Sequence, residues 1–200
     1  MYPIITTEGF IIDSRPHGES GKLLYIFTKE RGLVVAIAQG IRLEKSKLRY
    51  HTQNYSWGTF SLVRGKEMWR LTSANSVNDS VSKTPLDLSS EKENIEFAAK
   101  IARLLGRLLQ GEEAHPDLFT ILEWSFKFLD THQFHAEDIK SLETLTVFRI
   151  LHALGYIGDA PEFRSYLIAE PVSVGLIKGL TSHRLKINEV INRALEQSHL

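Results

Sequence analysis

Cysteine is absent from all 200 residues. Its absence excludes disulfide frameworks, thiolate metal sites and cysteine nucleophiles together. Long hydrophobic runs are missing too: no apolar stretch approaches the roughly 18 to 20 residues of a membrane span. The opening residues, MYPIITTEGF, lack the basic-then-apolar order of a secretion signal, so the expectation is a cytoplasmic protein with no membrane association. No internal repeat or low-complexity tract is present. What remains is a chain with 42% hydrophobic and 24% charged residues, enough for one or two domains with cores and too apolar for general disorder.

Net charge is also missing, but only in the sum. Residues 1–73 hold eleven Lys and Arg against six Asp and Glu, a balance of +5, leaving thirteen against eighteen, −5, for the rest. A basic first third suits a polyanion, because each phosphate neutralised by a cation releases condensed counterions.

Signatures of catalysis are lacking as well. Gly18, Gly21 and Lys22 superficially suggest a phosphate-binding loop, but a P-loop has four residues between its glycines and Ser or Thr after the lysine. Here two intervene and Leu23 comes next, so the segment reads as a turn that can still present Lys22 to a phosphate. No G-x-S-x-G elbow accompanies any Ser, His and Asp set. His132 and His135, near Asp130, Glu137 and Asp138, form the one cluster resembling a metal site. Two histidines three apart in a polar segment ordinarily belong to a solvated loop, with Asp138 or its neighbours starting the next helix. No metal, cofactor or enzymatic activity is expected.

Residues 4–74 read as five strands: Ile4 to Ser14, Lys22 to Lys29, Leu33 to Gln39, Thr52 to Val63 and Glu67 to Ser73. Each is a short run rich in Val, Ile, Phe, Tyr and Thr, bounded by Gly and charged turns. Residues 29–32 form a hairpin turn in which Gly32 is placed to adopt positive φ. Ile41 to Tyr50 is polar and long enough for a short helix between strands three and four. That order fits the five-stranded Greek-key barrel of oligonucleotide-binding proteins, the OB-fold.

Residues 76–90, rich in Ser, Asn, Asp and Pro, read as a linker. The period then becomes helical. Ile95, Ala98, Ala102, Leu105 and Leu109 share one face, Ser90 and Glu93 have capping-box spacing, and Gly111 can close the end. Pro116 opens a second helix striped by Leu118, Leu122, Ser125 and Leu129 and broadened by Phe119, Phe126 and Phe128. A third carries Ile139, Leu142, Leu145, Phe148, Leu151 and Leu154, stopped by Gly155. Pro161 and Pro171 limit any helix between them, and a last amphipathic stretch runs through Leu185, Ile187, Ile191 and Leu195. The expectation is a multidomain protein: an all-β barrel over 1–75, the linker, and an all-α domain of four or five helices over 91–200.

The segment most informative for function is Arg42 to Arg49, where Arg42, Lys45, Lys47 and Arg49 face one Glu. Such a patch holds backbones without reading sequence. Tyr50, Tyr55 and Trp57 nearby, and Tyr25 and Phe27 on the second strand, are candidate stacking faces. Alternation groups Tyr25 and Phe27 with Leu23, and we read that face as barrel core. Tyr55 and Trp57 share a face whose side is open. Arg64 and Lys66 flank Gly65 and extend the basic surface.

Together these residues resemble the RecO family of recombination mediators. The run Arg15, Gly18-Glu19, Phe27-Thr28, Gly32, Ala38-Gln39-Gly40 and the basic segment Arg42 to Arg49 is similar to the family's N-terminal signature. Phe148-Arg149 through Gly155-Tyr156 is similar to its aromatic-rich helix ending in Leu-Gly-Tyr. Many members place a four-cysteine zinc site next; here Asp159, Pro161 and Phe163 stand instead, so the resemblance is to a zinc-free version with a shorter C-terminal side. Gln39 stands where lysine is common.

The resemblance implies a non-enzymatic, nucleoid-associated protein of DNA repair. It would bind and anneal DNA strands, single and double, and with RecR help load recombinase onto single strands covered by their binding protein. The implied DNA surface is Arg15, Lys22, Arg42, Lys45, Lys47, Arg49, Tyr55, Trp57, Arg64 and Lys66. Arg103, Arg107 and Arg149 are the candidates for the acidic, apolar C-terminal tail of the single-strand binder. The alternative is an OB-fold protein-interaction adaptor whose basic segment meets an acidic protein and anneals nothing.

Overall fold

A computed structural model describes residues 3–76, 92–131, 135–158, 160–168 and 170–198. Five strands form first: β1 (Ile4–His17), β2 (Gly21–Thr28), β3 (Gly32–Ala38), β4 (Trp57–Arg64) and β5 (Trp69–Ser76), with a single helical turn α1 (Leu48–His51) between β3 and β4. They close in the order β1-β2-β3-β5-β4. All junctions are antiparallel except the short parallel one pairing Ala36 with Trp69 and Ile37 with Arg70. This is the expected five-stranded barrel. β1 serves two neighbours, β2 and β4, and a register shift between Ile11 and Asp13 bends it around the closure. The turn at Gly18 (φ +60) joins β1 to β2. A Cβ on Gly21 would lie 2.7 Å from the His17 carbonyl oxygen.

Ile11, Leu24, Ile26, Val34, Ala36, Ala38, Phe60, Leu62 and Leu71 fill the interior, joined by Ile41 from the β3–α1 connection. Burying each large aliphatic chain contributes about 1.5–3 kcal/mol. The inward face of β2 is thus Leu24–Ile26–Thr28, and Leu23, Tyr25 and Phe27 lie on the outer one. That reverses the alternation expected from sequence. Both faces of β2 are apolar, so period two cannot orient it. The outer face has its own core, because Phe10 pairs across the sheet with Phe27 on one side and Trp57 on the other. All three are buried, and the Phe10 and Trp57 rings lie 5.9 Å apart.

Among the described residues beyond the barrel, helices follow: α2 (Lys92–Leu108), α3 (Pro116–Thr131), α4 (Ala136–Ala153), α5 (Arg164–Leu167) after a 3-10 turn at Pro161–Phe163, α6 (Val174–Thr181) and α7 (Arg184–Gln197). The brief α5, bracketed by Pro161 and Pro171, and the short α6 raise the number above the four or five expected. Ser90 of the anticipated capping box, and the linker beyond residue 76, lie outside the described residues.

The compact units divide within α2. Ala98–His115 groups with the barrel and Lys92–Phe97 with Pro116 onward, whereas sequence had put the whole helix in the second domain. The barrel-side part carries Ala98, Ile101, Ala102 and Leu105 as a buried stripe. Its Gly106 faces Ile12 on β1, whose Cδ1 would stand 3.8 Å from an added Cβ. Outer β1 is apolar, so a helix covers it.

In the helical unit α4 is the centre, packed by α3, α6 and α7. Its buried positions run nearly around its circumference, from Ile139 to Leu151. Gly155 at φ +78 ends the run. Ser173 caps α6 by accepting from the Leu176 N–H at 3.2 Å.

Candidate nucleic-acid interface

The basic segment is a succession of turns anchored at both ends. Ile41 is 1% exposed in the barrel core, and Leu48 packs partly buried against the same cluster. Between them Leu43 N–H donates to the Gly40 carbonyl at 3.1 Å, Ser46 to Leu43 at 3.0 Å and Arg49 to Ser46 at 3.3 Å. Gly40 enters the run at φ +65. Thr52 closes α1 by donating its hydroxyl to the Leu48 carbonyl at 2.6 Å. With Ile41 and Leu48 pinned inward and Leu43 left in solvent, Arg42, Lys45, Lys47 and Arg49 are all exposed. None forms an ion pair with a described residue.

Arg42 N–H also donates to the Ser20 carbonyl at 2.9 Å, joining the segment to the β1–β2 turn. Lys22 pairs in register with Pro16 and with Ala38, just before Gly40. Arg15 lies on the same β1–β2 hairpin. Its guanidinium sits 5.3 Å over the Tyr25 ring and 3.3 Å from Asp13. Arg15, Lys22 and residues 42–49 therefore gather at one end of the barrel. Of these cations all but Lys22, which is half-buried, are exposed; Coulombic attraction between such cations and phosphate is salt-dependent and indifferent to base identity.

The other expected members fall elsewhere. Trp57 is 7% exposed in the outer-face cluster and presents no free ring. Tyr55 precedes β4, half-buried, at φ +70, with its N–H on the Ile11 carbonyl at 2.8 Å, so strand alternation does not govern it. Lys66 is exposed in the β4–β5 turn. Arg64 stacks 5.0 Å over Trp69 and donates to Glu112 at 2.5 Å. Arg31 lies 5.2 Å over the same ring, and Trp69 Nε1–H donates to Glu112 at 2.9 Å. Burial raises the affinity of the Glu112 carboxylate for a proton, but the hydrogen bonds from Trp69 and Arg64 and the charges of Arg64 and Arg31 outweigh it, holding its pKa below the usual value. Sequence reading missed this cluster because Glu112 lies 43 and 48 residues from its partners.

Arg103 and Arg107 are exposed on the part of α2 that groups with the barrel. Arg149 is 3% exposed. Its Nε, Nη1 and Nη2 donate to the carbonyls of Tyr166 (2.8 Å), Glu170 (2.8 Å) and Ile168 (2.9 Å), tying α4 to α5 and to the chain just beyond it. Burial lowers its pKa, with the Glu170 charge opposing. The guanidinium has a structural assignment inside the fold, not a surface one. A cavity of about 280 Å³ lies nearby, lined by His152, Ala160, Pro161, Arg164, Leu167 and Ile168.

His132 lies outside the described residues. His135 is the residue before α4, and its N–H donates to Asp138 at 3.4 Å, so Asp138 serves the helix start. Among the described residues no group of three or more His, Asp or Glu could hold a metal ion. No described helix is long and apolar enough to cross a membrane.

Comparison with known proteins bears on the same region. Residues 1–79 match the family model described as recombination protein O N terminal. The chain is 29% identical over 153 residues to a DNA repair protein RecO of Clostridium novyi, covering 76% of this chain and 57% of that relative. It is 29% identical over 163 residues to the RecO of Alkaliphilus metalliredigens, covering 81% and 61%. With the RecO of Heliobacterium modesticaldum it shares 30% over 168 residues, covering 84% and 56%. The chain thus spans under two thirds of the length of these curated relatives.

Proposed function

From a barrel that matches the recombination protein O N-terminal family model, on a chain similar to RecO proteins over most of its length, we propose that this protein binds DNA and serves recombinational repair. It brings complementary strands together and assists the loading of recombinase onto single strands, without turnover of its own, in the bacterial cytoplasm at the nucleoid. The observation that carries the reading is the anchored turn series in which Arg42, Lys45, Lys47 and Arg49 are all exposed and unpaired among described residues, beside Arg15 and Lys22. A rigid mount with solvated cations favours any phosphate backbone equally. That neutrality is what annealing needs, since each strand must be held while its bases remain available.

Partners of this reading are single- and double-stranded DNA, RecR, and the C-terminal tail of the single-stranded-DNA-binding protein. For the tail, Arg149 is already occupied by main-chain carbonyls. The cavity at Arg164 and His152, with apolar Leu167 and Ile168, offers the cation and greasy wall that an acidic, apolar peptide requires.

The test is a titration of labelled single-stranded DNA at several salt concentrations, with strand annealing measured in parallel. Log K should fall linearly with log salt at about 0.7 per phosphate contacted. Replacing Arg42, Lys45, Lys47 and Arg49 by Ala should flatten the slope by on the order of 3. Absence of binding at low salt would overturn the proposal and favour the protein-interaction adaptor.

A further inference from the structure

Aromatic rings of the barrel unit are nearly all occupied. Phe60 is interior, Phe10, Phe27 and Trp57 are buried on the outer face, Trp69 is buried and met by Arg31 and Arg64, and Tyr25 is covered by Arg15. Tyr55 is half-buried. Tyr50 differs: it is 66% exposed, and among the described aromatics of this unit it alone lies mostly in solvent.

Its placement results from the anchoring of α1. Leu48 turns inward to the barrel core, so within this single turn Arg49 and Tyr50 turn outward. His51 meets the Tyr50 ring near-perpendicularly at 5.3 Å and steadies it. Four exposed cations precede it within nine residues. The exposed ring thus stands on the same segment as cations that would meet phosphates.

Resting on the DNA-binding reading above, we infer that Tyr50 is a base-stacking platform that makes the basic segment prefer unpaired over paired strands. The cations attract both forms alike, but only an unstacked base can lie on the ring; in a duplex both base faces are already occupied. The segment would then release a strand as it pairs, because pairing withdraws the base from Tyr50 while leaving only the salt-sensitive phosphate contacts.

The experiment measures affinities of the full chain for an oligothymidine, for an abasic strand of the same length, and for a duplex, with wild type, Tyr50→Ala and Tyr50→Phe. Tyr50→Ala should weaken oligothymidine binding by roughly 5- to 150-fold, as loss of one stacked base does. Duplex affinity and the salt slope should stay unchanged, Tyr50→Phe should restore binding, and wild type should bind the abasic strand as weakly as Tyr50→Ala binds oligothymidine. Equal losses on single strand and duplex, a changed salt slope, or an unaffected Tyr50→Ala would overturn the inference while leaving the DNA-binding reading standing. Wild-type protein that binds none of the three at low salt would overturn both.

Discussion

Gly32 and the main chain of Glu113 meet so closely that a Cβ on Gly32 would stand 1.9 Å from the Glu113 carbonyl oxygen. Gly32 also sits at φ +63, and the next residue, Leu33, donates its N–H to the Gly111 carbonyl at 3.1 Å. The loop after α2 is thus laid directly along the start of β3. Positive φ was legible from the hairpin; the approach of Glu113 was not.

Gly32→Ala is therefore expected to lower stability by about 2–5 kcal/mol, combining a left-handed conformation with a backbone clash. Gly18→Ala is the control, because Gly18 has φ +60 with open space around its Cβ position; it should lose only about 1–2 kcal/mol. Urea denaturation of the two variants measures the difference. Equal losses would mean that Glu113 yields freely.

Glu112 supplies a pH dependence. Its pKa is lowered in the folded protein, so its contribution to stability is present above the unfolded glutamate value of about 4.3 and is lost as pH falls through the folded value. Glu112→Gln should reduce stability at neutral pH modestly, since the pair with Arg64 is substantially solvent-exposed. The gap between variant and wild type should close on acidification below about pH 4. A constant gap from about pH 7 to about pH 3 would contradict the assignment.

Arg149 should not tolerate lysine. A compact ammonium cannot span the carbonyls of Tyr166, Ile168 and Glu170 that the guanidinium fork reaches. Arg149→Lys and Arg149→Met are each expected to cost about 2–4 kcal/mol, from lost charge-assisted bonds and carbonyls left without a donor. Far-UV circular dichroism on thermal melting reports it. A Met variant as stable as wild type would show those carbonyls to be satisfied by water.

Ser125 and Thr146 join α3 to α4 through hydroxyls 2.9 Å apart, each also within 2.8 Å of a carbonyl of its own helix. Two hydroxyl hydrogens serve three contacts, so a bond across the interface forms only when one hydroxyl turns away from its own-helix carbonyl. Ser125→Ala and Thr146→Val should each cost about 1 kcal/mol, with the double variant less destabilised than their sum by about 0.5–1 kcal/mol. Strict additivity in chemical denaturation would indicate that the cross-helix bond contributes nothing.

Much of the architecture was readable because it depends on short-range rules. The strands at 4–17, 21–28, 32–38, 57–64 and 69–76 track runs of β-branched and aromatic residues, displaced by only a few residues from the expected ends. The fourth differs most, since Thr52 to Ser56 is a loop with Tyr55 at φ +70. Pro116 and Gly155 bound helices as their chemistry dictates. Of the candidate site, the exposure of the basic segment was expected from its charge density; Lys22 was read from its turn and Arg15 only from the family resemblance. Arg64 and Arg149 were not, because what a guanidinium does depends on which acceptors fold against it.

By itself, then, the sequence determined the order and kind of the elements, the turns that need glycine, the segregation of positive charge into the barrel and the absence of any thiolate chemistry. Those arise from local backbone preferences and composition. Tertiary structure alone decided which face of β2 points inward, that Trp57 is buried while Tyr50 is open, that Arg149 clasps carbonyls and that Glu112 restrains Arg64. Each of these depends on burial and on groups brought together from distant positions, and a residue's neighbours in space are set only when the chain has closed on itself.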